Sequence, residues 1–295
     1  ATGCSSVIAD RVAAAGARDG GYILTEAGFG SDMGLERFID LKCAVSGMHP
    51  SVAVVVVTIR ALKAHSGRHR LVSGKDLPEE MLQENVDDVR DGAANLLKHL
   101  QIVRGFGITP VVAVNVFPTD HDAEIEEVMR IAGDAGARVA VCHPVTRGGE
   151  GCLDLAGAVV VEACQEAGEP ASSRLAYEPQ DDLRTKISKL ADLYGADGVD
   201  YTPAASRLLE AYEQGGFGHL PVIVAKTPLS LSAEPGRKGV PTGWRLPVRE
   251  VRLAAGAGYV YAICGSLSTM PGLSSHPAAE RIDVDLDTGQ IMGLR

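Results

Sequence analysis

Residues 51–59, SVAVVVVTI, constrain the fold more than any other stretch, being mostly β-branched, free of charge, and polar only toward their ends. A run this short favours a strand over a helix. Its lack of alternation predicts burial on both faces, as in a parallel sheet covered by helices. A parallel strand needs a crossover helix, and residues 84–106 provide one: Val86, Val89, Ala93, Leu96, Leu97, Leu100 and Val103 form one stripe that Gly105 and Gly107 close. A second apolar run follows at 109–116. Thr119 or Asp120 is then the expected N-cap, with Asp122 and Glu124 in the first turn of a helix reaching residue 135. Residues 138–142 give another strand and 151–166 another amphipathic helix. This alternation predicts an α/β fold, with mostly parallel sheets, flanking helices and right-handed crossovers.

Residues 167–179 (AGEPASSRLAYEP) lose the periodic pattern and read as a linker. Helices are expected beyond it at 181–194 and 203–214, with a strand at 221–225. Residues 233–241 are again rich in glycine and proline, and 246–263 read as two strands around AAGAG. There is no internal repeat or low-complexity tract. The expected organisation is two lobes plus a β-rich C-terminal segment, divided as 1–108, 109–235 and 236–295.

At 295 residues with 45% apolar content, the chain can bury a sizeable core. Its formal charge of -10 argues against nucleic acid or an anionic membrane as partner. No apolar run approaches the ~18 residues of a membrane span, and the N-terminus lacks a signal-peptide pattern, so a cytoplasmic location is expected. Cys4, Cys43, Cys142, Cys152, Cys164 and Cys264 are scattered without a CxxC pair, which predicts reduced thiols and no metal site. The acidic average breaks at 60–70, where Arg60, Lys63, Arg68 and Arg70 stand with His65 and His69. Such a patch fits a small anionic ligand or an ordinary solvated helix end.

Four loops can carry chemistry, each expected at the carboxyl end of a strand, where open α/β sheets bind ligands. The first, Glu26-Ala27-Gly28-Phe29-Gly30, would follow a short strand at 22–24; its glycines allow close backbone approach and leave Phe29 free to lie on a flat ring. The second puts Arg60 and Lys63 one helical turn apart, a spacing suited to an anion. In the third, Phe117 and Pro118 either form a rigid stacking platform or pack beneath the loop. The fourth is Thr146-Arg147-Gly148-Gly149-Glu150-Gly151. Lys226 could meet a phosphate or carboxylate, although a surface lysine is the ordinary reading. Met270, Pro271 and Gly272 form a turn that could close over a ligand. The only tryptophan, Trp244, is expected in the core.

These motifs occur in an order that resembles the formate–tetrahydrofolate ligase family. TEAGFGSDMG at Thr25 leads to VVTIRALKAHSG, which is similar to the family's signature, with Val57 and Ser66 where alanine and glycine are usual. Downstream, GADGVDYTPAA at Gly195, GGFGHLPVIVAKTPLSLS at Gly215, PTGWRLPVREVRLAAGAGYVYAICG at Pro241 and TMPGLSSHPAAERIDVD at Thr269 resemble family segments. The resemblance runs from Ala1 to Arg295 and corresponds to about the second half of the family protein. It implies that Glu26–Gly30 lie beside ATP with Phe29 near the adenine, within the remainder of a nucleotide-binding domain. It implies a folate site of Phe117, Pro118, Val145, Gly148, Gly149 and Glu150, with Val145 standing where the family has a tryptophan clamp.

The implied reaction is ATP-dependent. Formate is phosphorylated to formyl phosphate, and N10 of tetrahydrofolate attacks that anhydride and expels phosphate. Mg2+ and cationic groups hold the phosphates, a monovalent cation is possible, and a clamp presents the amine. No GxxxxGK[ST] occurs in these residues, and the chain opens without a methionine. The expectation is therefore a C-terminal portion, inactive alone, with an upstream-half chain or a homo-oligomer as possible partner. A noncatalytic folate- or nucleotide-binding module, or a regulatory subunit, is the alternative.

Overall fold

The computed structural model describes residues 4–18, 20–69, 71, 77–166, 172–266, 280–288 and 290–293. It has an α/β architecture built on two larger sheets. In the first lobe, β1 (Val52–Val57), β2 (Thr109–Asn115) and β3 (Arg138–Cys142) form a parallel sheet in the order β1-β2-β3. Val57 pairs with Val114 and Asn115 with Cys142, so all three strands end at one edge. The crossovers are α2 (Ile59–His65) with α3 (Val86–Gly105), and α4 (Asp122–Asp134); α5 (Leu153–Glu166) follows β3. Before them come α1 (Val7–Gly16) and two π-helical segments, Ser31–Leu35 and Phe38–Cys43, which the sequence pattern did not announce.

Local chemistry sets these boundaries. The Thr58 hydroxyl accepts from Ala61 N to start α2, and Asn85 Oδ1 accepts from Asp88 N to start α3. Gly107, at φ +79°, turns the chain out of α3 toward β2. The expected cap of α4 is corrected: His121 occupies that position, while Asp120 shapes the preceding loop. Leu153, not Gly151, begins α5, after a 3-10 turn at Gly148–Cys152.

In the second lobe, β4 (Val199–Tyr201), β6 (Leu246–Ala254), β7 (Tyr259–Cys264) and β5 (Val222–Ala225) form a mixed sheet in that spatial order. β4 pairs parallel with β6 and β5 with β7, whereas β6 and β7 are antiparallel. Helices α6 (Leu183–Tyr194) and α7 (Pro203–Gln214) pack on it, around a core that includes Leu190, Tyr194, Val222, Val260 and the buried Trp244. A small hairpin, β8 (Asp283–Val284) with β9 (Ile291–Met292), stands apart.

Two sequence expectations change at this level. β1 is buried on one face only: Val57 is covered, but Val54 and Val56 are 43% and 64% exposed. The strand buried on both sides is β2, because β1 lies at the edge and β2 at the centre. In addition, the divisions at 108/109 and 235/236 run through sheets, since β1 pairs with β2 and β5 with β7.

Candidate ligand site at the carboxyl edge of the parallel sheet

Register brings three of the four loops to one place. β1 empties into Thr58 and Arg60, β2 into Phe117, and β3 into the loop from His143 to Gly151, all at the shared carboxyl edge. Val116 N donates to Cys142 O at 3.0 Å, holding the Phe117 loop and the loop after β3 together.

Phe117 is presented by a closed turn. Its N–H donates to Asp120 Oδ2 at 2.9 Å, and Asp120 N–H donates back to Phe117 O at 3.0 Å. The Arg60 guanidinium carbon lies 3.6 Å from the Phe117 ring centroid, a cation–π stack that fixes one face of the half-buried ring. Pro118 is exposed beside it. Arg60 Nε and, at the end of β2, Asn115 Oδ1 are buried without a hydrogen-bond partner. Such groups carry a desolvation cost of ~1–3 kcal/mol that a polar ligand could relieve.

The loop after β3 is also pinned. His143 N donates to Gly151 O at 2.9 Å, and a Cβ on Gly151 would sit 2.6 Å from His143 O, so the loop closes only around glycine. Gly148, at φ +55°, makes the sharp reversal that leaves Val145, Gly148, Gly149 and Glu150 at the surface; Val145 is 51% exposed.

Lys63 does not join Arg60. Its ammonium is buried, ion-paired to Glu124, and donates to Met81 O at 3.0 Å and Gln83 O at 2.7 Å. The adjoining basic stretch is also neutralised: Arg68 pairs with Asp88 and Asp91, and His69 Nε2 lies 2.6 Å from Asp88. Burial, then the neighbouring Lys238 and His99, lower His65 to about 4, so it is uncharged at neutral pH. Arg70 lies outside the described residues, as do Met270, Pro271 and Gly272.

The Glu26–Gly30 loop stands elsewhere. Residues 22–24 form no strand, and Tyr22, Ile23 and Leu24 are exposed. The loop leads into a segment resting on α3, where Ser31 Oγ and His99 Nδ1 are 2.7 Å apart. α3 runs back toward the amino edge of the sheet, and His99 is six residues, or about 9 Å, from its end there. Phe29 holds a left-handed φ of +71°, is 66% exposed, and has the Arg37 guanidinium 5.9 Å from its ring centroid. A Cβ on Gly34 would collide with Gly28 O, which fixes the loop's path.

Between the lobes lies a buried polar cluster that the sequence reading missed. Lys226 is not a surface residue: it is 1% exposed, ion-paired to Asp32, and donates to Ser230 O at 2.7 Å. Near it, Glu36, between the two π-helical segments, and Asp40, on the second, are fully buried, and Asp40 Oδ1 accepts Ala176 N at 2.7 Å. Burial raises Asp40 to about 7, and burial together with the Asp40 charge pushes Glu36 well above the carboxylate range. Their i, i+4 spacing in DMGLERFID reads as a solvated helix face, and only the intervening Met33, Phe38 and Ile39 hint otherwise.

The comparisons with known proteins agree with one another. The family model described as formate–tetrahydrofolate ligase matches residues 1–295. Relatives named formate–tetrahydrofolate ligase from Cutibacterium acnes and Saccharopolyspora erythraea are 57% and 58% identical over 295 residues, covering 100% of this chain and 51% of each relative. One from Roseiflexus sp. is 49% identical over 296 residues, with the same coverage. The chain thus spans about half the length of the curated relatives it matches, and it belongs to the formate–tetrahydrofolate ligase family.

Proposed function

We propose that this chain supplies the folate-facing edge of an enzyme that uses ATP and formate to formylate tetrahydrofolate at N10. The observation that carries the reading is the Phe117 platform, backed by Arg60 and standing at the carboxyl edge beside the glycine loop after β3. With one ring face against Arg60, the other is left for a flat heterocycle, while Gly148, Gly149 and Glu150 flank it and Val145 offers a smaller apolar cover than an aromatic would. Pro118 limits the loop's freedom. Arg60 is the anion-facing group of this edge, and Lys63 holds the scaffold beneath it.

In the proposed reaction formate attacks the terminal phosphate of ATP, giving formyl phosphate and ADP. The folate amine then forms the C–N bond as the C–O bond to phosphate breaks and the amine proton is lost. Glu26–Gly30, with Phe29 exposed, are the proposed nucleotide-facing residues. Mg2+ with ATP, and a monovalent cation, belong to the proposal. Among the described residues no three histidine, cysteine or carboxylate side chains converge on a metal position, and no step here runs through one. The proposed setting is the cytoplasm; among the described residues no helix is long and apolar enough to cross a membrane. Turnover is proposed to need the half of the relatives that this chain does not span, from an upstream-half chain or within a homo-oligomer. A second reading, a folate- or nucleotide-binding module without turnover, is favoured by Val145 at the clamp position.

Titrating tetrahydrofolate and following its fluorescence tests the site. Phe117→Ala should weaken binding about tenfold and Val145→Trp should strengthen it, since a lost or gained ring contact is worth ~0.5–1.5 kcal/mol. No binding to the unmodified chain at millimolar ligand would overturn the reading. Formate-dependent ATP hydrolysis by the 295 residues alone would contradict the need for the other half.

A further inference from the structure

We propose that Cys142 and Cys152 form a reversible disulfide across the neck of the loop after β3, an oxidation site whose co-reactant is a small-molecule disulfide. Cys142 is the last residue of β3 and Cys152 the last of the 3-10 turn before α5, with nine residues between them. At the neck His143 N donates to Gly151 O at 2.9 Å, and no side chain can part the two backbones, since a Cβ on Gly151 would fall 2.6 Å from His143 O. The cysteines are the residues immediately outside that bond. Their thiols meet there and share a hydrogen bond. Such an approach is what a disulfide demands, because the bond tolerates little displacement of its two ends. The other four cysteines hydrogen-bond to groups that are not thiols: Cys43 to Ser173, Cys164 to Tyr22, Cys264 to Ala262 O and Cys4 to Gly34 O.

The two sulfurs are not equivalent. Cys142 is 4% exposed, its Sγ donates to Val114 O at 3.4 Å, and burial, then the neighbouring Cys152, raises its pKa. Cys152 is only half-buried, so it is the sulfur that a reagent reaches first. Its thiolate attacks one sulfur of the small disulfide, a mixed disulfide forms, and the first small thiol leaves. Cys142 then gives up its proton and attacks Cys152 Sγ; the bond to the small molecule breaks and the second small thiol is released. The protein has lost two electrons and two protons, and the co-reactant has gained them. Both cysteines stand reduced in the structure. A bridge that forms and is reduced again is the usual kind in a reducing compartment, where disulfides are transient or redox-sensing. Once made, it closes a ring through Val145, Gly148, Gly149 and Glu150 and cuts the freedom of that loop at its root. The bridge needs no ligand at the loop, so it goes beyond the folate reading and does not depend on it.

The test is to incubate the reduced chain with oxidised glutathione, unfold it into iodoacetamide to block the remaining thiols, and map the peptides by mass spectrometry. A Cys142–Cys152 cross-link is expected, two hydrogen masses lighter than the dithiol and undone by dithiothreitol. In the bridged chain, hydrogen exchange at 144–150 should be about tenfold slower than in the reduced one. Cys152→Ser, at the half-buried position, should leave Cys142 open to alkylation and cancel the slowing, whereas Cys164→Ser, on the exposed thiol of α5, should change neither result. Both thiols still alkylated in chains whose Cys164 has already taken up glutathione would overturn the assignment. So would a Cys152 that stops at the glutathione adduct, a bridge from either residue to another cysteine, or the same slowing in Cys152→Ser.

Discussion

Glu124 sits in the first turn of α4 with no exposure, and its carboxylate meets the Lys63 ammonium and accepts Asn85 N at 2.7 Å. The three groups knot α2, α3 and α4 together directly beneath the Phe117 loop. Lys63→Met would leave that carboxylate buried without its counter-charge, which costs ~3–5 kcal/mol. Urea unfolding should show a loss of that size, and adding Glu124→Leu should restore most of it; a loss under ~1 kcal/mol for the single change would show that the pair is not structural. From spacing alone, Lys63 and Arg60 look equivalent, one turn apart after the same strand. What separates them is a carboxylate that arrives from 61 positions later in the chain, which no local pattern can reveal. Lys226 and Asp32 repeat the point across 194 positions. Phe117 was legible because aromatic, proline and acid follow a strand directly, and the chemistry of that turn is local.

Among the elements, the approach of α2 to α3 is set by Gly92, where a Cβ would fall on the Leu62 carbonyl. Gly92→Ala must push α3 off α2 and should cost ~1–3 kcal/mol or more. Gly133→Ala in α4, where nothing lies within 4 Å, should instead be neutral or stabilising by ~0.5–1 kcal/mol. Comparing their urea midpoints checks both signs, and equal effects would contradict the packing described for α2 and α3. Strands β2 and β3 and helices α3, α6 and α7 were readable to within two residues because caps and periodicity act over a single turn; Thr202 and Pro203, for example, start α7 where the sequence expects it. The bare face of β1 was not readable, because an uncharged aliphatic strand such as VAVVVV looks the same at an edge as at the centre. The π-helical segments were hidden for a related reason, since their carboxylates imitate a wet surface.

At the scale of the whole molecule, the two lobes meet across buried polar groups. Asp40 bonds to Ala176 N, Lys226 pairs with Asp32, and Asn95 Nδ2 donates to Gly239 O at 3.0 Å. With Asp40 raised to about 7, its contribution to stability is full below the unfolded value near 3.8 and is lost as pH rises through about 7, when the buried carboxyl must ionise. Asp40→Asn keeps the acceptor for Ala176 but cannot ionise. Its unfolding free energy relative to the unchanged protein should therefore climb between pH ~4 and ~7 and level off above that, and a flat difference would refute a protonated Asp40. The Phe29 loop leads into Ser31, which rests on α3 through His99. Hydrogen–deuterium exchange with and without saturating tetrahydrofolate tests the central claim most directly. Protection concentrated at 58–60, 117–120 and 143–151 is the predicted result; protection confined to other segments, or none at millimolar ligand, would contradict a folate platform at the carboxyl edge of β1, β2 and β3.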